Sequence, residues 1–164
     1  MDDNELRGKF LGDPRFHVYV VLKDGKVSAV LQGWDIKVDG KGYFFESYGV
    51  GKTEDLRLLY GRVGKPVVVE AERSEFPQHS ELGFREIPVK YYQPPLKEGE
   101  ERVELTLMVK NGAKITGREI KGLVYEIYRS IYGVEPYPEV IRSLEELDDN
   151  REYDLTKSYP PPLR

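Results

Sequence analysis

Three features of the chain predict an α+β fold: short β-branched and aromatic runs separated by turn dipeptides, a change of texture after Asn111-Gly112, and two amphipathic helical patterns beyond it. The expected architecture is a mostly antiparallel meander of about six to seven strands, open or curled into a half-barrel. Two C-terminal helices then pack on one face of it. At 164 residues the chain is long enough to bury a core. Residues 1–150 are assigned to one α+β domain, and 151–164 to a Pro-rich C-terminal tail docked on a folded surface.

The elements follow in order. Phe16 to Leu22 and Val27 to Leu31 flank Asp24-Gly25, a hairpin signal. Trp34 to Val38 and Gly42 to Glu46 flank Asp39-Gly40-Lys41, which predicts a second hairpin and a four-strand meander. Thr53 to Tyr60 suits a short extra helix. Further strands are expected at Pro66 to Glu72, Phe84 to Tyr92 and Arg102 to Lys110. Pro88 makes the 84–92 segment an edge or bulged strand, because proline cannot donate to a ladder. Thr116-Gly117-Arg118-Glu119 has the capping-box pattern, and Ile120, Leu123, Val124, Ile127 and Ile131 form one apolar helical stripe ending at Gly133. Val140, Ile141, Leu144 and Leu147 mark a second helix, ending near Asp149-Asn150.

Composition narrows the setting. Asn and Gln are scarce while Glu, Lys and Arg are abundant, a thermophilic bias. With no cysteine, disulfides, thiolate metal sites and cysteine nucleophiles are excluded. No apolar run approaches the roughly 20 residues that span a bilayer, and the acidic start Met1-Asp2-Asp3-Asn4-Glu5 has no signal-peptide core. A soluble, cytoplasmic protein with no membrane partner is expected. The net charge of −4 disfavours nonspecific coating of nucleic acid.

Several motifs carry chemistry only in part. Gly49-Val50-Gly51-Lys52-Thr53 resembles the end of a phosphate-binding loop, but Glu46 occupies the place of its first glycine and puts negative charge where phosphate should approach. It reads as a glycine-rich turn. Glu70 and Glu72, two apart on a Val-rich strand, would share a face and could hold a hard cation for phosphodiester chemistry, with Asp35 and Glu46 elsewhere in the strand region. As solvated sheet residues they need no such role. His17 and His79 lack ligand spacing, and His79 with Ser80 and Glu81 reads as loop decoration rather than a triad. No catalytic residue and no metal or cofactor set is assigned.

Charge supplies the remaining clue. Residues 102–132 carry six basic and three acidic side chains, whereas 133–154 carry two and eight. Lys114, Arg118 and Lys121 cluster at the predicted helix start, where free amides favour an anion, with Tyr125, Tyr128 and Tyr132 farther along. The sequence reading is therefore a non-enzymatic, self-associating interaction domain. Its expected contact surface is Lys114, Arg118, Lys121, Tyr125 and Tyr128, facing a second copy or another protein, with nucleic acid a less favoured partner. A metal-dependent phosphodiesterase or nuclease using the strand carboxylates is the alternative.

Overall fold

Alternation of buried and exposed side chains organises one seven-stranded sheet, seen in a computed structural model that describes residues 12–112 and 114–155. Phe16–Lys23 (β1), Lys26–Val38 (β2) and Lys41–Gly51 (β3) form an antiparallel meander. Both hairpins close through two consecutive positive-φ residues, Asp24-Gly25 and Asp39-Gly40, the geometry that matches strand twist. The sequence divided β2 at Gly33, but the strand is continuous there. Gly33 is required by close backbone approach, since a Cβ would lie 2.0 Å from the carbonyl oxygen of Phe45.

Thr53–Val63 (α1) then carries the chain to Val67–Ala71 (β4), which runs parallel to β3. The helix is longer than the sequence suggested, passing through Gly61 to stop at Gly64, whose φ of 68° forms a left-handed C-cap. Arg73–Glu75 makes one 3₁₀ turn and leads into Phe76–Glu81 (α2), where a polar loop was expected. Phe84–Glu86 (β5) and Tyr91–Gln93 (β6) both pair with Val103–Lys110 (β7). The expected single strand over 84–92 is thus broken around Pro88, at the sheet edge as predicted. The order across the sheet is β1-β2-β3-β4-β7-β5, with β6 also on β7.

The capping box forms in full: Thr116 Oγ1 accepts the Glu119 amide, and Glu119 Oε2 accepts the Thr116 amide. It starts Gly117–Glu126 (α3), which continues as a π-helical turn over Ile127–Tyr132. Pro138–Glu145 (α4) follows. Lys114–Thr116 (β8) and Glu152–Asp154 (β9) pair in a small sheet, so the chain past residue 150 adds a strand; residues 156–164, most of the expected tail, lie outside the described residues.

The sheet separates two cores. Val68, Phe45, Trp34 and Leu107 face α3, its π-turn and α4, while Val67, Val69, Phe44 and Leu31 face α1 and α2. The α+β class, the antiparallel meander and the two C-terminal helices on one face are as the sequence predicts; α1 and α2 add a layer on the other. Among the described residues no helix is long and apolar enough to cross a membrane.

Candidate active-site cleft between two parallel strands

The parallel pair β3–β4 is registered at two rungs only, Phe44 with Val67 and Phe45 with Val68. Beyond them β3 pairs with β2 alone and β4 with β7 alone. The cause is local. Gly33 opposes Glu46 and Gln32 opposes Tyr48, so Ser47 is an extra residue, and a bulge of this kind bends the strand that carries it. Past these rungs the carboxyl ends of β3 and β4, the parallel pair among the described residues, no longer bond to each other, and a parting of this kind is where open α/β sheets bind ligands.

One wall of the cleft leads directly into a helix start. Gly51 ends β3 with φ 147°, and a Cβ there would lie 2.5 Å from the Ala29 Cβ, so only glycine fits. Lys52, extended at φ −68° and ψ 149°, is the N-cap of α1, and no side chain caps the helix. The Asp55 and Leu56 amides bond the Lys52 carbonyl, each at 3.0 Å. The first amides of a helix have no intrahelical acceptor, so those of Thr53 and Glu54 are left open and carry the positive end of the helix dipole. Asp55 in the same turn is neutralised by Lys23, whose Nζ lies 2.6 Å from Oδ1.

Glu46 sits beneath this turn. Its Oε1 accepts the Tyr60 hydroxyl at 2.6 Å, and its carboxyl occupies the space beside Gly49, 3.0 Å from where a Cβ would stand. Burial pushes its pKa up to about 7 against the lowering effect of the Tyr60 bond, and the Glu75 charge pushes the same way. The sequence objection to an anion here, a carboxylate in the wrong place, is weakened, because burial favours the neutral form of this carboxyl.

Glu70 occupies the opposite face, two residues past the last rung on β4. Tyr91 donates to Oε2 at 2.6 Å, and Tyr132 and Gln93 donate to Oε1 at 2.5 and 3.3 Å. Burial raises its pKa, with the three hydrogen bonds opposing. Glu72 does not share this face: it lies outside β4 and caps the 3₁₀ turn with Glu75. Among the described residues no group of three or more His, Asp or Glu could hold a metal ion.

The sequence-selected surface lies elsewhere and is held within the chain. Lys114 pairs with Glu152 at 3.6 Å and Lys121 with Asp149. The amides of Gly117, Arg118 and Glu119 bond Arg151 O, Asp149 O and Thr116 Oγ1, which leaves none open at the start of α3. Tyr125 lies under the Arg129 guanidinium, 4.6 Å from its ring centre. Tyr128 is fully buried and donates to the Tyr92 carbonyl. His17 pairs with Asp35 at 2.8 Å, and His79, on α2, bonds the Glu75 carbonyl at 2.9 Å. Sequence reasoning missed the cleft because its signals, Gly51-Lys52-Thr53 and Glu46, argued against each other until the bulge and the Tyr60 bond were visible.

No family model and no curated protein matches the sequence. The fold is similar to that of a putative acetyltransferase from the GNAT family of Bacteroides thetaiotaomicron, with a TM-score of 0.66 and 20% identity over 82% of each chain. A structure of GCN5 from Tetrahymena aligns with a TM-score of 0.43 and 15% identity over 65% of this chain and 74% of that one, too distant to carry an argument. The likeness shows a GNAT-like fold. It overturns both readings from sequence: a non-enzymatic interaction domain is not what this architecture resembles, and neither is a phosphodiesterase built on strand carboxylates.

Proposed function

We propose that the chain is an acyltransferase that takes an acyl group, acetyl in the simplest case, from a coenzyme A thioester and delivers it to an amine. The observation that carries the reading is the splayed β3–β4 cleft with an uncapped helix start at its rim; the fold of the putative Bacteroides acetyltransferase agrees with it.

The residues present fit such a donor. Open amides at Thr53 and Glu54, approached over Gly49 and Gly51 without side chains, suit the pyrophosphate of coenzyme A, and Lys52 adds a cation beside them. Glu46, held by Tyr60, can take up a proton when an anion approaches and so removes the repulsion it would otherwise exert. Bound acyl-CoA would supply the activated thioester carbonyl. The cleft supplies alignment, since the parted strands leave backbone along both walls to hold an extended pantetheine arm and exclude water from the reacting centre.

The test is titration of the full chain with acetyl-CoA in a calorimeter, followed by detection of free thiol in the presence of an amine panel. Saturable binding and amine-dependent thiol release support the reading. No binding at millimolar acetyl-CoA would overturn it.

A further inference from the structure

Asp55 is the one charged side chain buried among the described residues, 2% exposed in the first turn of α1. Lys23 reaches it from the end of β1, with Nζ 2.6 Å from Asp55 Oδ1 and 4.0 Å from the Glu54 carboxylate. The other oxygen, Oδ2, has no hydrogen-bond partner among the described residues. The Lys23 bond outweighs burial and holds the carboxyl below the usual carboxylate range, so Asp55 is charged at neutral pH. A buried ion pair is a weak source of stability, so its place here is explained by what it does at the helix start.

Position gives that role. Asp55 is the third residue of α1, where an acidic side chain competes with any external anion for the positive end of the helix. An acid at this position that turned back would also cover the open amides. Asp55 does not turn back: no side chain caps α1, and its carboxylate meets Lys23 instead. Lys52 is the alternative cation. Its charge already acts on Asp55, yet the two are not in ion-pair contact. Without Lys23 the carboxylate would draw the Lys52 ammonium and repel phosphate from the same turn. Lys23 is placed for this by the β1–β2 hairpin, whose Asp24-Gly25 turn closes at φ 52° and 73°.

We infer that Lys23 is a positioning residue of the donor site: by holding Asp55 and cancelling its charge, it leaves the Thr53 and Glu54 amides and the Lys52 ammonium to the donor's pyrophosphate. The word donor rests on the acyltransferase reading; the effect of Lys23 on an anion at α1 does not.

The test is a cycle of full-length variants, each titrated at low salt with acetyl-CoA and, separately, with inorganic pyrophosphate, followed at the Thr53 and Glu54 amides by proton–nitrogen NMR. Lys23→Met is expected to weaken both ligands about five- to tenfold, and less so as salt is raised. Lys23→Arg retains affinity within about twofold, because the cation is kept. Lys23→Met combined with Asp55→Asn is expected to restore affinity to within about twofold, since the charge that Lys23 cancels is gone. Asp55→Asn alone is expected to bind as tightly as the original chain or a few-fold tighter, and it serves as the test should Lys23→Met fail to fold.

Unchanged affinity in Lys23→Met, a double variant as weak as Lys23→Met, or a loss of affinity in Asp55→Asn overturns the role, and leaves the acyltransferase reading standing where the original chain binds acetyl-CoA. Pyrophosphate binding that follows the cycle without acetyl-CoA binding supports the role of Lys23 and rejects the acyltransferase reading. Binding of neither ligand by the original chain overturns both.

Discussion

Two helices of this molecule begin within reach of lysines and face opposite fates. At the start of α3, every early amide is taken: Gly117 by Arg151 O, Arg118 by Asp149 O, Glu119 by Thr116 Oγ1. The 148–151 backbone even lies across it, so that a Cβ on Gly117 would come within 2.1 Å of the Asp148 carbonyl oxygen. At the start of α1 no side chain caps, and two glycines clear the approach. The basic cluster drew attention to the first helix, yet charge only attracts. Open donors on an uncovered turn are what hold an anion.

The comparison can be broken most severely at Gly51. Gly51→Val forces a β-branched side chain into positive φ and onto Ala29, and is expected to cost about 3 kcal/mol or more, read by chemical denaturation. A result under about 1 kcal/mol would mean that the turn tolerates side chains and is not the built feature described here.

Glu46 sharpens the α1 side through pH. Its pKa is raised in the folded state, so its contribution to stability is fully present below the usual carboxylate value near 4.5 and is lost as pH rises through about 7. Glu46→Gln, which can still accept from Tyr60, is expected to stabilise the chain by on the order of 1–2 kcal/mol at pH 8, after discounting for partial exposure, and not at pH 4. Thermal melts at the two pH values check it; equal effects at both would place the shift elsewhere.

On the α3 side the expectations are structural. Thr116→Ala removes one half of the capping box and should cost about 1 kcal/mol of stability with acetyl-CoA affinity unchanged. Smallest of all, Lys114→Glu breaks an exposed pair with Glu152 and is expected to change stability by less than about 0.5 kcal/mol, again without effect on donor affinity. A loss of donor affinity in either variant would return the anion site to α3.

Much of the fold was legible because its signals are local. Asp24-Gly25 and Asp39-Gly40 need only their own backbone to make hairpin turns, and Thr116 needs only Glu119 to start a helix. The β8–β9 pair was not legible, since Lys114–Thr116 is three residues long and its partner lies more than 30 residues on. The cleft was legible in part. Gly51-Lys52-Thr53 stood out, but its meaning depends on a one-residue bulge at Ser47 and on the parting of β3 from β4, neither of which leaves a periodic trace. Glu70 looked like a solvated sheet residue because the donors that enclose it arrive from β6 and from a π-turn far along the chain.

The most direct test of the account is Thr53→Pro, titrated with acetyl-CoA beside the original chain. Proline at the first helical position keeps α1, because Lys52 already has the extended backbone that must precede it, and removes one open N–H. The account predicts an unchanged melting temperature and about a tenfold loss of acetyl-CoA affinity. Unchanged affinity in a folded Thr53→Pro chain would contradict the claim that the open start of α1 holds the donor.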